Sequence, residues 1–92
     1  TIEVLLSSNF GEISYAQQDF PGALTGFQKV IATYPLSRKI PDAWLKVGYC
    51  QYELNRWPEA RQALNIVVTQ FPETTSARFA RERLNDIRKA GR

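Results

Sequence analysis

The sequence predicts an all-α fold, two stacked helical hairpins closed by a fifth helix, from three observations. First, the chain repeats itself at an offset of 37 residues: Gly11 falls on Gly48, Tyr15 on Tyr52, Pro21 on Pro58, Ala23 on Ala60, Val30 on Val67 and Pro35 on Pro72. Similar side chains coincide between these, Phe10 with Val47, Phe20 with Trp57, Phe27 with Leu64, Ile31 with Val68 and Tyr34 with Phe71. A period of this length marks stacked supersecondary units. Second, apolar residues inside each unit recur at three- and four-residue steps, the spacing of one helix face. Third, Pro and Asn stand where those helices would begin and end.

The elements follow in order. The first hairpin, about residues 4–35, carries Gly11 and Ala23 where two antiparallel helices need small side chains, with Phe10, Tyr15 and Phe20 filling the space around them. Asp19 to Gly22 reads as a turn running into a helix-starting proline. The second hairpin covers about residues 41–72. Trp44, Val47, Gly48 and Gln51 or Tyr52 place its first helix from about Asp42 to Leu54. Asp42, after Pro41, is positioned to cap or favour the positive N-terminal end. Asn55 tolerates the left-handed conformation at a helix end and so makes a stop. Pro58 then sits in the first turn of a helix that shows Ala60, Leu64, Val67 and Val68 on one face and runs to Gln70 or Phe71, with Pro72 closing it. Gly48 and Ala60 allow close approach, and Trp44, Tyr52 and Trp57 fill what remains. A mid-helix glycine costs about 1 kcal/mol relative to alanine, so its return at the same phase signals a packing need. Finally, Thr75 or Ser76 starts a helix with Ala77, Ala80, Leu84 and Ile87 or Arg88 in its stripe, over about residues 75–90, and Gly91 stops it. It is the first helix of a third unit without its partner, placed to cover the open end of the array.

Bulk properties narrow the function. Ninety-two residues make one small domain, 1–92, with one core. A content of 43% hydrophobic, 12% aromatic and 23% charged residues belongs to a folded chain. No apolar run approaches the roughly 20 residues that span a bilayer, so direct membrane insertion is not expected. No leader opens the chain, and a start at Thr1 leads us to expect a piece of a longer protein. Of the net charge of +3, residues 1–46 contribute nothing and residues 47–92 all of it, mainly through Arg78, Arg81, Arg83, Arg88, Lys89 and Arg92 of the last helix. Glu82 and Asp86 interrupt that run, which therefore reads as an exposed mixed-charge face rather than a nucleic-acid surface. The single cysteine, Cys50, forms no internal disulfide and reads as a packing residue.

Catalysis is not expected. The chain has no histidine, the commonest general base and metal ligand, and no glycine-rich phosphate loop. Glu82 and Asp86 lie four residues apart among arginines and read as solvated ion pairs, so no catalytic, cofactor or metal site is assigned. An interaction module is the leading class. First helices of successive hairpins line a groove that holds a peptide. Its candidate residues are Ser8, Glu12 and Tyr15, then Leu45, Tyr49, Tyr52 and Glu53, then Phe79, Glu82 and Asp86. Tyrosines offer flat apolar contact with a hydroxyl, and the acids suit a basic partner segment. Tyr15 and Tyr52 share a phase and equally fit packing within each hairpin, whereas Tyr49 faces Glu12 in that comparison and is the better ligand contact. The rival class is self-assembly, through the apolar Ile2, Val4, Leu5 and Leu6 side of the first helix.

Trp44, Gly48, Ala60, Leu64, Val67 and Pro72 together resemble the tetratricopeptide repeat, a 34-residue helix-turn-helix, which implies a right-handed α-solenoid that binds protein. The first unit departs from that pattern at Ser7 and Ser14, and lengthened connections at Leu36–Ile40 and Glu73–Ala77 explain the period of 37. More narrowly, Tyr34 to Ser37, the run PDAWLKVGYCQYEL at 41–54 and the run FPETTSARFARERL at 71–84 resemble the C-terminal domains of the YbgF/CpoB family, periplasmic accessory proteins of the bacterial Tol-Pal system. That resemblance implies periplasmic localisation, an N-terminal trimerising coiled coil and an earlier repeat upstream. It also implies an adaptor that binds TolA and links outer-membrane constriction to the peptidoglycan synthase machinery at cell division. A generic lipoprotein-handling or secretion adaptor stays open beside it.

Overall fold

A computed structural model describes residues 2–92, and every element among them is helical: α1 (Ile2–Ala16), α2 (Phe20–Thr33), α3 (Ile40–Glu53), α4 (Trp57–Gln70) and α5 (Thr75–Lys89). Local sequence accounts for the boundaries. Pro21, Pro41 and Pro58 each fall in the first turn of α2, α3 and α4, where a missing N–H costs nothing. Asp19 caps α2 by accepting from the Gly22 amide at 3.1 Å. Gly22 is what permits this, since a Cβ there would meet the Asp19 carboxylate. Asn55, with φ of 60°, ends α3 as expected, and Gln18 does the same after α1 with φ of 61°.

Two helix caps differ from the sequence reading. α3 begins at Ile40 with Lys39 in the cap position, so Asp42 lies inside the first turn, 4.0 Å from the Lys46 ammonium, where it makes no cap but does favour the positive N-terminal end. α5 begins at Thr75, within the expected bounds, but its cap is Thr74 rather than Thr75 or Ser76: the Thr74 hydroxyl accepts from the Ala77 amide at 3.1 Å and donates to the Phe71 carbonyl at 2.8 Å.

Each helix packs against its sequence neighbours, and α3 also touches α5. The core runs along the stack in three patches: Val4, Val30, Ile40 and Ala43; then Ala23, Leu24, Phe27, Val47, Cys50 and Ala63; then Leu45, Ala60, Leu64, Val67, Ala77, Ala80 and Ile87. Half-buried Trp44 packs against all three and ties the two hairpins together. The repeated glycines act as sockets. A Cβ on Gly11 would stand 2.9 Å from the Phe27 ring, and one on Gly48 would stand 2.6 Å from Leu64 Cδ2. Phe27 and Leu64 are fully buried and occupy one repeat phase, so the same plug fills the same socket twice. Gly26 meets the Gly11 backbone across α1 and α2, which brings those helices closest. Phe10 does not fill the first hairpin as its phase suggested. It lies against Gly26 but stays 56% exposed.

Candidate functional site

α1, α3 and α5 are the first helices of successive units, and their flanks form one continuous face. Two cations bind this face together. Lys46 of α3 reaches back to α1, donating to Glu12 Oε1 at 2.9 Å and Oε2 at 3.1 Å, with its ammonium 5.9 Å from the centre of the Tyr15 ring. Arg83 of α5 reaches back to α3, its guanidinium 4.2 Å from the Tyr49 ring centre and 4.6 Å from that of Tyr52. These contacts are equivalent. Lys46 and Arg83 differ by the repeat offset, as do Glu12 and Tyr49, and Tyr15 and Tyr52. One cation from each first helix therefore grips the same two positions of the first helix before it.

The tyrosines continue the surface. Tyr15 and Tyr49 lie 6.5 Å apart between ring centres, tilted by 38°. Around the hairpin turns, Tyr15 meets Phe20 edge-on at 5.5 Å and Tyr52 meets Trp57 edge-on at 5.2 Å. Tyr15 and Tyr52 thus serve both readings, packing within their hairpins while standing on the shared face. Burial pushes the Tyr15 and Tyr49 phenols above their ordinary values, opposed in part by the positive charge of Arg83. Both hydroxyls stay protonated near neutral pH and keep a donor.

The structure sorts the ten sequence candidates into three groups. Ser8 and Leu45 are buried, 5% and 3% exposed, and offer no surface. Leu45 instead belongs to the patch shared by α3, α4 and α5. Glu12, Tyr15, Tyr49 and Tyr52 are half-buried and joined by the two cation contacts. Glu53, Phe79, Glu82 and Asp86 are exposed. The negative charges of Glu53 and Glu82 add to the upward push on the Tyr15 and Tyr49 phenols respectively. Phe79 lies under the Arg78 guanidinium at 5.3 Å.

Sequence reading missed Lys46, Asp42 and Arg83 as members of this face. A signal for the cations was present, because the 37-residue offset that aligns the tyrosines also aligns Lys46 with Arg83. Arg83 has one further property: its Nη1 is buried with no hydrogen-bond partner. Glu12, Asp42, Glu53, Glu82 and Asp86 on this face stand against Lys46, Arg83, Arg78 over Phe79 and, at the repeat phase of Tyr15 and Tyr52, Lys89, so acids exceed cations by one on a molecule whose net charge is +3. Among the described residues no group of His, Cys, Asp and Glu is arranged to hold a metal ion.

The family model for the tetratricopeptide repeat matches residues 9–37 and 42–74. Among curated proteins none matches the chain. The two matched segments cover both hairpins, with the glycine sockets, turn prolines and facing aromatics in each, and together they exceed half of the sequence: the chain belongs to the tetratricopeptide-repeat family, whose modules bind other proteins.

Proposed function

We propose that the face shared by α1, α3 and α5 is the docking surface of a non-catalytic periplasmic adaptor, and that it takes a basic segment of TolA. The observation that carries the docking role is the aromatic and acidic strip from Glu12 and Tyr15 through Tyr49 to Glu82, fixed in place by Lys46 and Arg83. Rigid rings lose little freedom on contact, and exposed Glu53, Glu82 and Asp86 on the same first helices suit lysines and arginines. The choice of TolA, the Tol-Pal system and the link to peptidoglycan synthesis at division rests on the runs at 41–54 and 71–84. Calorimetric titration with the periplasmic helical domain of TolA tests the reading. Saturable binding that the double variant Glu53→Lys/Glu82→Lys weakens supports it. Binding indifferent to that variant moves the contact off this face, and no heat with a folded domain rejects TolA, leaving a different secretion or lipoprotein adaptor role.

A second reading, self-assembly, is favoured by one observation. Ile2, Leu5, Leu6, Phe10 and Ile13 of α1 are 49–73% exposed on one side of the helix, while Val4 is buried in the core. Leu6, Phe10 and Ile13 occupy the phase of Ala43, Val47 and Cys50, the residues by which α3 stacks on α2. This is a stacking face without a helix on it. Sedimentation equilibrium of the domain and of Phe10→Glu decides: concentration-dependent association abolished by the variant supports pairing of copies, and a monomer throughout excludes it.

A further inference from the structure

A second cleft, about 590 Å³, lies between α4 and α5. Leu84 and Ile87 are among its apolar lining, and Arg61, Arg81, Arg88 and Arg92 surround them. No acidic residue lines it, and among the described residues no side-chain carboxylate pairs with any of the four arginines. Arg61 donates to the backbone oxygen of Arg92, the terminal residue of the sequence, Arg81 to the Pro72 carbonyl at 2.8 Å and Arg88 to Asn85 Oδ1, while the Arg92 guanidinium rests 4.5 Å from the centre of the Trp57 ring. A guanidinium has five N–H donors, so most of the donors around this cleft are uncommitted.

The repeat offset says what stands in such a cleft. Arg81, Leu84, Asn85 and Arg88 occupy the positions of Trp44, Val47, Gly48 and Gln51. Those α3 residues form the flank that receives α4, with Leu64 seated on Gly48. The α5 flank is therefore shaped for an antiparallel helix but altered in chemistry. Asn85 puts a side chain where the glycine socket would be, which keeps a helix from the close seating of α4. Two of the packing positions, those of Trp44 and Gln51, have become Arg81 and Arg88. We propose that this cleft docks an acidic amphipathic helix of a partner protein, its apolar stripe on half-buried Leu84 and its carboxylates in the arginines. Arginine suits carboxylates through paired, parallel hydrogen bonds, and the apolar floor selects a helix with a stripe over a merely acidic chain. The proposal is independent of the docking face on α1, α3 and α5.

Fluorescence anisotropy with three labelled peptides of about 18 residues, roughly five helical turns, tests it. One carries a leucine stripe flanked by glutamates, one the same stripe flanked by lysines, and one the glutamate composition scrambled. The expected result is saturable binding of the first alone, weakened about tenfold or more by Arg81→Glu/Arg88→Glu and unchanged by Lys29→Glu/Lys39→Glu, which alters charge equally elsewhere. All four substitutions are at exposed positions, and circular dichroism confirms that both variants fold. Equal binding of the scrambled peptide, equal loss in both variants, or no saturation overturns the proposal.

Discussion

Gln18 and Asn55 stand at equivalent hairpin positions and both hold left-handed backbone, φ 61° and 60°. A side chain pays for that conformation, more for glutamine than for asparagine, and glycine escapes the penalty. Gln18→Gly should therefore stabilise the domain by about 1 kcal/mol in denaturant titration, and Asn55→Gly should change it by less. The Asn55 stop was legible in the sequence because asparagine advertises the conformation. Gln18 does not, and only its place in the repeat reveals it. Cys50 makes a second residue-scale case. It has no exposed surface, and burial pushes its thiol up to about 12 from an ordinary 9.0. A raised folded value means that the unfolded chain loses its proton first as pH rises. The corresponding stability is complete below pH 9.0 and disappears progressively toward about pH 12, with Tyr15 and Tyr49 adding to the loss above pH 10.0. Urea titrations between pH 8 and 11 should show a shallower decline for Cys50→Ala than for the wild type.

The helices owe their pairing to sockets and plugs at one phase. Gly48→Ala gains helix propensity of about 1 kcal/mol, but it drives a methyl to within 2.6 Å of Leu64, and overpacking of that kind costs about 1–3 kcal/mol. A net loss of stability is expected, measured by thermal unfolding. Phe27→Ala empties the other socket and should cost more, about 3–5 kcal/mol, because the ring is fully buried. Glycines, turn prolines and apolar periodicity made all five helices legible, since these features act locally. Two caps escaped for physical reasons: Pro41 lets α3 begin before Asp42, and Thr74 outcompetes its neighbours by bonding both the Phe71 carbonyl and the Ala77 amide. The cross-helix grips of Lys46 and Arg83 escaped because helical spacing within one segment says nothing about which neighbour a long side chain reaches. Arg83→Ala should loosen α5 selectively, seen as faster amide exchange over 75–89 than in the hairpins.

Over the whole molecule charge is divided by face. The first-helix face carries one more acid than cation around its tyrosines, while arginines gather in the α4–α5 cleft at the C-terminal end. The fold class was readable from the repeat alone. The docking face was readable only in part, because repeat phase identified Glu12, Tyr15, Tyr49, Tyr52 and the exposed acids yet also admitted Ser8 and Leu45, which the stacking of α2, α4 and α5 buries. Periodicity gives a direction around a helix axis, and the neighbouring helices decide whether that direction ends in solvent. Partner binding by the face of α1, α3 and α5 is the central proposal for the molecule. Amide chemical-shift mapping of the isotopically labelled domain during addition of the periplasmic helical domain of TolA tests it most directly. The expected result is a set of shifts that saturate and cluster at Glu12, Tyr15, Tyr49, Glu53 and Glu82, together with a slowed, shifted Arg83 side-chain signal. Shifts confined to α2 and α4, or none at saturating concentration, would contradict it.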